Sequence, residues 1–240
     1  MIGLVWSLEW SVALTRRRLF VLNALIPLFL VAPIAFSPAP AQHAAAVYTV
    51  LFVIFGTLGS CIPFIRDGES GLLARFTLSG IAPRSLLVER VAAGAALDTV
   101  QLIPSLIVIA MASGNITQFG SVLGTLVLAL LVANLIGMWA AALARSMAEG
   151  ALFAAVLSLL LLHAAGSFRT PVDGTLGAHL EVLSPFRLLR EALLRVTGGG
   201  PTVPWRADLI QPLLVSLGVA CLSLIAGRWI VSASGRAARG

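Results

Sequence analysis

Residues 66–90, RDGESGLLARFTLSGIAPRSLLVER, form the one extended polar interruption in the first two-thirds of an otherwise apolar chain. They carry seven of the charged side chains, which in the whole chain number 16 basic and 10 acidic. Leucine, phenylalanine and isoleucine nevertheless recur through the stretch at helical spacing, which a plain polar loop does not need. The pattern predicts a short amphipathic helix over residues 69–78, a turn over 79–83 and a second helix from about Arg84.

The rest of the chain is too apolar for a soluble protein. Of its 240 residues, 59% are hydrophobic and 11% are charged, and the mean hydropathy is +1.00. Soluble domains contain about 25% charged and about 45–50% apolar residues, so a soluble chain of this composition would expose apolar surface that it could not cover. We therefore expect an all-α membrane protein in which residues 1–240 form a single transmembrane domain.

Six apolar runs predict six transmembrane helices, each near the length that crosses the ~30 Å hydrocarbon core of a bilayer. They cover residues 19–36, 47–65, 91–111, 120–143, 151–165 and 209–230. Residues 1–18, with Trp6 and Trp10 four positions apart, predict an amphipathic helix lying in the membrane interface. Residues 167–208 are too polar to span and predict an outer re-entrant or helical segment between spans five and six.

The placement of arginine predicts the orientation. Eleven of the sixteen basic residues fall on one side if the N-terminus is inside, and the outer loops 37–43 and 113–119 contain none. Because positive charge gathers on the cytoplasmic side, we expect an N-in, C-in protein of the bacterial cytoplasmic membrane. A competing interpretation takes residues 16–41, ending in Ala-Pro-Ala, as a secretory signal, but its n-region and apolar run are too long.

The residue types that most catalytic or metal sites require are missing or scattered. Without lysine, the chain cannot contain the G-x-x-x-x-G-K-[ST] loop that holds nucleotide phosphates. No two of its three histidines share a helical face with a carboxylate, and its two cysteines lie far apart. We predict no catalytic, cofactor-binding or metal site in this chain. Its arginines fix topology, and no nucleic-acid partner is expected.

Asp98 is the one isolated carboxylate well inside an apolar span. An ionisable residue within the membrane is by default a functional candidate, and together with Gln101 it predicts a polar translocation path. The alternative is structural: Asp98 lies about two turns from the cytoplasmic face, where water reaches it or an arginine such as Arg90 pairs with it. The sequence leaves both interpretations open.

The polar stretch also carries a recognisable order of residues. It contains Glu69, Ser70, Gly71, Leu73 and Arg75, followed by Ser79, Leu86, Leu87 and Arg90. This order resembles the cytoplasmic loop of ABC type-2 transporter permeases, which reads approximately E-S-G-T-L-E-R-L-L-x-S-P before a basic residue that opens the third span. The chain departs from that pattern at Leu72, Ala74 and Gly80, where the family has Thr, an acidic residue and Pro.

A second element lies in the outer segment. Ser184 fits a helix N-cap with Pro185 at the first helical position, and the glycines from Gly198 end that helix. With Phe186 and Glu191, this element resembles the N-P-x-x-Y-x-x-E-A-L sequence of the same family, with Ser in place of Asn and Leu in place of the aromatic residue.

The resemblance implies a transmembrane subunit that pairs with a second copy or a paralogue and binds two ATP-binding cassette ATPase subunits. Glu69, Gly71, Leu73 and Arg75 would couple it to the ATPase, and ATP and Mg²⁺ would sit on that partner. The outer helices would cap or line an exit path. Because the spans contain few charges, we expect an exporter of an amphipathic drug, peptide or lipid-like substrate.

Three other functions stay open at this point. Within the same fold, a haem-handling permease of the cytochrome c maturation type has a similar inner loop, although its outer segment is shorter. An ion-coupled secondary carrier would use Asp98 and need no ATPase. A membrane scaffold would not transport at all.

Overall fold

The computed structural model describes residues 3–169, 174–198 and 210–234, and within them all regular structure is helical. The helices are α1 (Leu4–Thr15), α2 (Arg17–Ala35), α3 (Ala41–Glu69), α4 (Leu72–Leu78), α5 (Pro83–Ser113), α6 (Phe119–Leu143), α7 (Met147–Ala164), α8 (Leu176–Leu183), α9 (Pro185–Val196), α10 (Ile210–Ile225) and α11 (Gly227–Ser234). A 3-10 turn (Ile116–Gln118) precedes α6.

Five of these helices are long and apolar enough to cross a membrane, namely α2, α3, α5, α6 and α7. A sixth span exists if α10 and α11 count as one, although they meet at an angle of 62°. The expectation of an all-α membrane protein with an apolar multi-helix bundle is therefore confirmed. The orientation of its termini stays a prediction.

The sixth span is not the continuous helix that the apolar run 209–230 predicted. It breaks at Ala226, directly before Gly227, and glycine weakens a helix at that point. Beyond the break, Ile230 and Val231 are buried against the bundle, and the Trp229 ring lies 5.7 Å from the Trp139 ring of α6. Burial of these side chains favours a turned-in α11 over a straight helix. Residue 209 lies outside the described ranges.

The two ends of the polar stretch 66–90 belong to the long helices α3 and α5. α3 continues to Glu69, so Glu69 ends this helix and does not begin the loop helix, contrary to the prediction. The reason is Gly71, whose φ of +72° interrupts the helical path and restarts it as α4. α5 begins at Pro83, close to the predicted start, with proline at the position that needs no donor.

The fifth span begins earlier than the apolar run suggested. α7 starts at Met147, because the Ser146 hydroxyl accepts a hydrogen bond from the Glu149 amide at 3.2 Å. The Glu149 carboxylate in turn accepts one from the Arg145 amide at 2.6 Å. The Ser146 contact is an N-cap that the S-x-x-E sequence predicts, with the Glu149 carboxylate bonded to the amide one residue before the cap. The helix therefore begins at Met147, inside the segment 144–150 that was predicted as a loop.

The centre of the bundle is the contact between α3 and α6. A Cβ on Gly56 would lie 2.7 Å from a Leu130 methyl carbon, and one on Gly137 would lie 2.3 Å from a backbone oxygen of α3. The Ser60 hydroxyl also donates a hydrogen bond across the contact to the Asn134 backbone carbonyl at 2.9 Å. Small residues at these positions let the two backbones approach closely, as membrane helices commonly do.

Two hydrophobic clusters fill the bundle at opposite ends. One lies at the α4 end and includes residues of α3, α4, α5, α6 and α11. The other lies at the far end, where α9 packs against α3 and α6. The outer segment therefore enters the core through α9, and most of its described part forms the two helices α8 and α9, in agreement with the helical segment predicted within residues 167–208. Residues 170–173 and 199–208 lie outside the described ranges.

The N-terminal helix meets the bundle through its first two turns only. Val5 is fully buried and Leu8 is partly buried, but Val12, one turn further along, is 37% exposed. Between them the helix turns Glu9 towards α5, where it has a charged partner. α1 is thus fixed by an inward polar contact as well as by apolar packing.

Candidate functional site

α4 packs one face against the bundle and exposes the other. Leu73 and Phe76 are buried and anchor it to the bundle. The opposite side exposes Ala74, Arg75 and Leu78, and the Leu78 side chain is 87% exposed. α4 is thus a seven-residue helix whose inner face is buried in the core and whose outer face carries an exposed leucine.

Turns at both ends fix this helix in place. Gly71 starts it with φ +72° and Gly80 ends it with φ +85°. Past Gly80, the Ile81 amide donates to the Phe76 carbonyl at 3.1 Å and the Gly80 amide donates to the Thr77 carbonyl at 3.2 Å. These two bonds form a Schellman motif, which satisfies the last carbonyls of a helix. α4 is therefore a defined element and not a flexible loop.

The four residues predicted to couple the chain to a partner take different positions around α4. Glu69 and Arg75 are exposed, and Gly71 forms the turn between α3 and α4. Leu73 is only 1% exposed, so it has no surface to offer a partner. Its place in the core corrects the expectation of a direct contact: Leu73 holds α4 against the bundle. Leu78, which the sequence analysis did not single out, is the exposed apolar residue of this helix.

Behind α4 lies a buried ion cluster centred on Arg90. This arginine is 5% exposed and its guanidinium pairs with the carboxylates of both Asp67 and Glu9, the latter at 2.5 Å. Asp67 belongs to the last turns of α3 and Glu9 to α1, so one side chain joins three helices. Arg66, nearly half exposed, lies 3.7 Å from Asp67. We call Glu9, Asp67 and Arg90 the ion cluster.

The cluster ties α1 to the start of α5. Burial raises the pKa of the Glu9 carboxyl above its ordinary value, and the neighbouring Arg90 guanidinium opposes that rise. One residue before Arg90, the Glu89 carboxylate accepts a hydrogen bond from the Val5 amide in the first turn of α1 at 3.1 Å. Two consecutive residues of α5 thus hold the N-terminal helix, next to the segment that carries α4.

A cavity of about 550 Å³ extends from the ion cluster into the spans. Its walls come from α1, α2, α3 and α5, with one residue of α6 at its floor. Charged side chains lie at the α4 end, and the floor carries Asp98, Gln101 and Asn134. Asp98 and Gln101 are one turn apart on α5, so the structure brings the two predicted path residues to the same cavity.

Asp98 does not pair with Arg90, because the Arg90 guanidinium pairs with Glu9 and Asp67 instead. Its Oδ2 accepts a hydrogen bond from Nδ2 of Asn134 at 2.9 Å, and Asn134 also donates to the Leu130 carbonyl at 2.9 Å. A Cβ on Gly59 would lie 3.0 Å from Oδ1 of Asp98, and one on Gly94 would lie 2.4 Å from Oδ1 of Asn134. Two glycines therefore leave the space that this polar pair occupies.

The predicted outer helix forms as α9, with Ser184 at its N-cap position and Pro185 at its first helical position. The Ser184 side chain makes no capping hydrogen bond, so only the position matches the expectation. Phe186 is buried in the far-end cluster. The partly exposed Glu191 side chain pairs with Arg187 at 2.5 Å, one turn earlier on the helix.

The comparison with protein families decides which class of membrane protein this architecture belongs to. The family model described as ABC-2 type transporter matches residues 2–196, which include α1, the spans from α2 to α7, α4 and α9. The chain belongs to the ABC-2 type transporter family. A search of curated proteins gives no match. As an ABC-2 permease, it is a multi-pass transport subunit whose family implies an ATP-binding cassette ATPase partner.

Several residues of this permease were missed because their partners are distant in sequence. The sequence does not single out Glu9 and Asp67, although they flank Arg90 in space, or Asn134, a single polar residue in an apolar run. A buried asparagine in the middle of a span is itself a signal that a polar partner exists. Within the described residues, no group of three or more His, Cys, Asp or Glu is placed to hold a metal ion.

Proposed function

We propose that this chain is the transmembrane subunit of an ATP-driven exporter that moves an amphipathic substrate across the bacterial cytoplasmic membrane. A separate ATP-binding cassette subunit binds ATP and Mg²⁺ and hydrolyses the nucleotide. The permease works with a second copy or a paralogue, in an N-in, C-in orientation. Membership of the ABC-2 family supports the transport role, and the arginine distribution supports the orientation.

The observation that carries the proposal is the exposed Leu78 on a helix that is otherwise anchored. An apolar side chain that is 87% exposed, at the end of the molecule assigned to the cytoplasm, suits insertion into a groove of a soluble partner. Arg75, one turn earlier on α4, and Glu69, at the end of α3 before it, are both exposed and supply charged groups near the helix. In the chain, α4 follows α3 and precedes α5.

The ion cluster gives such a contact a route into the spans. Arg90 joins α5, α3 and α1 at the same end of the bundle, and α4 lies in the chain between α3 and α5. The two helices that flank α4 are therefore held together by charges that do not separate cheaply. Motion imposed on α4 therefore passes to the long helices that line the cavity. In this account, Asp98 and Gln101 lie on the translocation path, and α9 with Ser184, Pro185, Phe186 and Glu191 closes its outer end.

Co-purification tests the proposal. The tagged chain is extracted from its native membrane in mild detergent, and bound proteins are searched by mass spectrometry for a P-loop ATPase. We expect the wild type to retain one and Leu78→Glu to lose most of it. The matched control is Leu176→Glu, which alters a residue of α8, 78% exposed, and leaves α4 intact. Absence of an ATPase from the wild type, or equal retention by Leu78→Glu, would contradict the proposal.

A further inference from the structure

The cavity floor has more hydrogen-bond acceptors than donors. Asp98 offers two carboxylate oxygens and is 6% exposed, yet among the described residues only the Asn134 amide donates to it. The Asn134 amide nitrogen donates its two hydrogen bonds to Asp98 and to the Leu130 carbonyl. The Asn134 Oδ1 has no partner in the described part of the chain. An ionised carboxylate can accept about four hydrogen bonds, so the floor lacks positive charge and donors.

No basic side chain on the cavity walls compensates Asp98. The charged groups that face the cavity are Glu9 of α1, Arg16 between α1 and α2, Arg66 of α3 and Arg90 of α5. Arg90 lies eight residues before Asp98 on α5, a rise of roughly 12 Å, and is held by Glu9 and Asp67. Arg66 and Arg16 lie at the same charged end. A buried carboxylate is stable only beside a counter-charge, and none of these described side chains is placed to supply one, so a cationic ligand would provide it.

The remaining walls suit an apolar body. Phe20 of α2 and Leu51, Ile54 and Phe55 of α3 line the space beside the polar floor. A volume of about 550 Å³ falls within the range of sites that enclose small organic ligands. Gln101, on the same face of α5 as Asp98, adds an amide that makes no hydrogen bond with other described residues. Apolar walls around one buried carboxylate are the features that an amphipathic cation requires.

We propose that this cavity binds the cationic group of an amphiphile, an organic ammonium or phosphonium ion, against Asp98, with Gln101 beside it and the apolar body along α2 and α3. The inference rests on the proposed transport function, because it names the substrate class of the same pathway. It excludes amphiphiles whose only charge is negative, since these would meet the Asp98 carboxylate with a repulsive charge.

Two probes of matched shape and opposite charge test the inference on the purified full chain in detergent, without any ATPase. Tetraphenylphosphonium is the cation and tetraphenylborate the anion, and binding is measured by equilibrium dialysis. We expect saturable binding of the cation and none of the anion. Asp98→Asn, which keeps an acceptor for Asn134, lowers the affinity for the cation by about tenfold or more. Glu149→Gln, which keeps a side-chain oxygen for the Arg145 amide at the start of α7, serves as the control and leaves binding unchanged.

Equal saturable binding of both probes, no saturable binding of the cation, or unchanged cation affinity in Asp98→Asn would each overturn the inference. If Asp98→Asn does not fold, the comparison of the two probes on the wild-type chain still decides it. The outcome is independent of the co-purification experiment. Loss of this binding site would leave the ATPase contact at α4 intact, and loss of that contact would leave the binding site intact.

Discussion

Arg90 is the residue on which the α4 end of this permease depends most. It is buried, and it faces two carboxylates that approach it from different helices. Buried pairs of this kind add little net stability over apolar packing, but removing one partner leaves the others charged and unsolvated. The cluster therefore acts as a fixed joint between α1, α3 and α5.

Replacing Arg90 by Gln is expected to destabilise the protein by about 3 kcal/mol, because Glu9 and Asp67 lose their common counter-charge. The measurement is reversible unfolding in mixed micelles. Arg84→Gln, an exposed arginine in the first turn of the same helix, is the matched control and changes stability by under about 0.5 kcal/mol. Equal stabilities of the two variants would show that the cluster is not a structural joint.

Sequence reasoning at this scale found the unusual residue but not its partner. Asp98 stood out because a lone carboxylate inside an apolar run is costly, and it does lie in a cavity with Gln101. Its hydrogen-bond partner is Asn134, 36 residues later on α6, and Arg90 pairs with Glu9, 81 residues earlier. Such pairs depend on how the helices pack, which no local pattern records.

At the scale of elements, α4 is set by two glycines. Gly71 and Gly80 both have positive φ, and neither would meet another atom within 4 Å if it carried a Cβ. Their role is therefore conformational and not spatial. The helix between them is short, so its stability comes from Leu73 and Phe76 in the core and from the turns at its ends.

Gly71→Ala is expected to loosen α4, since an L-residue at φ +72° costs about 1 kcal/mol or more. Hydrogen exchange of the amides of residues 72–78 should accelerate by about fivefold. Gly71→Asn should recover part of the protection, because asparagine tolerates this conformation. Gly120→Ala, a helical glycine of α6 with open space around it, is the control. Unchanged exchange in Gly71→Ala would contradict the assigned role.

The long apolar runs predicted the existence of these elements better than their ends. Hydropathy located α2, α3, α5 and α6, because length and composition alone define a span. Hydropathy assigned Glu69 to the loop helix, whereas it belongs to the end of α3. A helix can continue past the membrane until a residue such as Gly71 interrupts it. Hydropathy also missed the bend at Gly227, where burial of Ile230 and Val231 competes with a straight helix.

At the scale of the whole molecule, α4, the ion cluster, the cavity and the α9 packing follow one another from one end of the bundle to the other. The exposed face of α4 lies at the end of the bundle that contains the ion cluster. Glu9 and Arg90 of that cluster line one end of the cavity, and Asp98 lies at its floor. The far end is packed by α9 against α3 and α6. This arrangement fits a subunit that receives force at one face and passes it through long helices, as an ABC-2 permease would.

The central claim is that α4 contacts a separate ATPase, and site-specific photo-crosslinking in living cells tests it most directly. A photoreactive phenylalanine analogue replaces Leu78 or, as the matched control, Leu176, which is similarly exposed on α8. The account predicts an adduct at position 78 that contains P-loop ATPase peptides, and no such adduct at position 176. An ATPase adduct at 176 but not at 78, or at neither position, would contradict it.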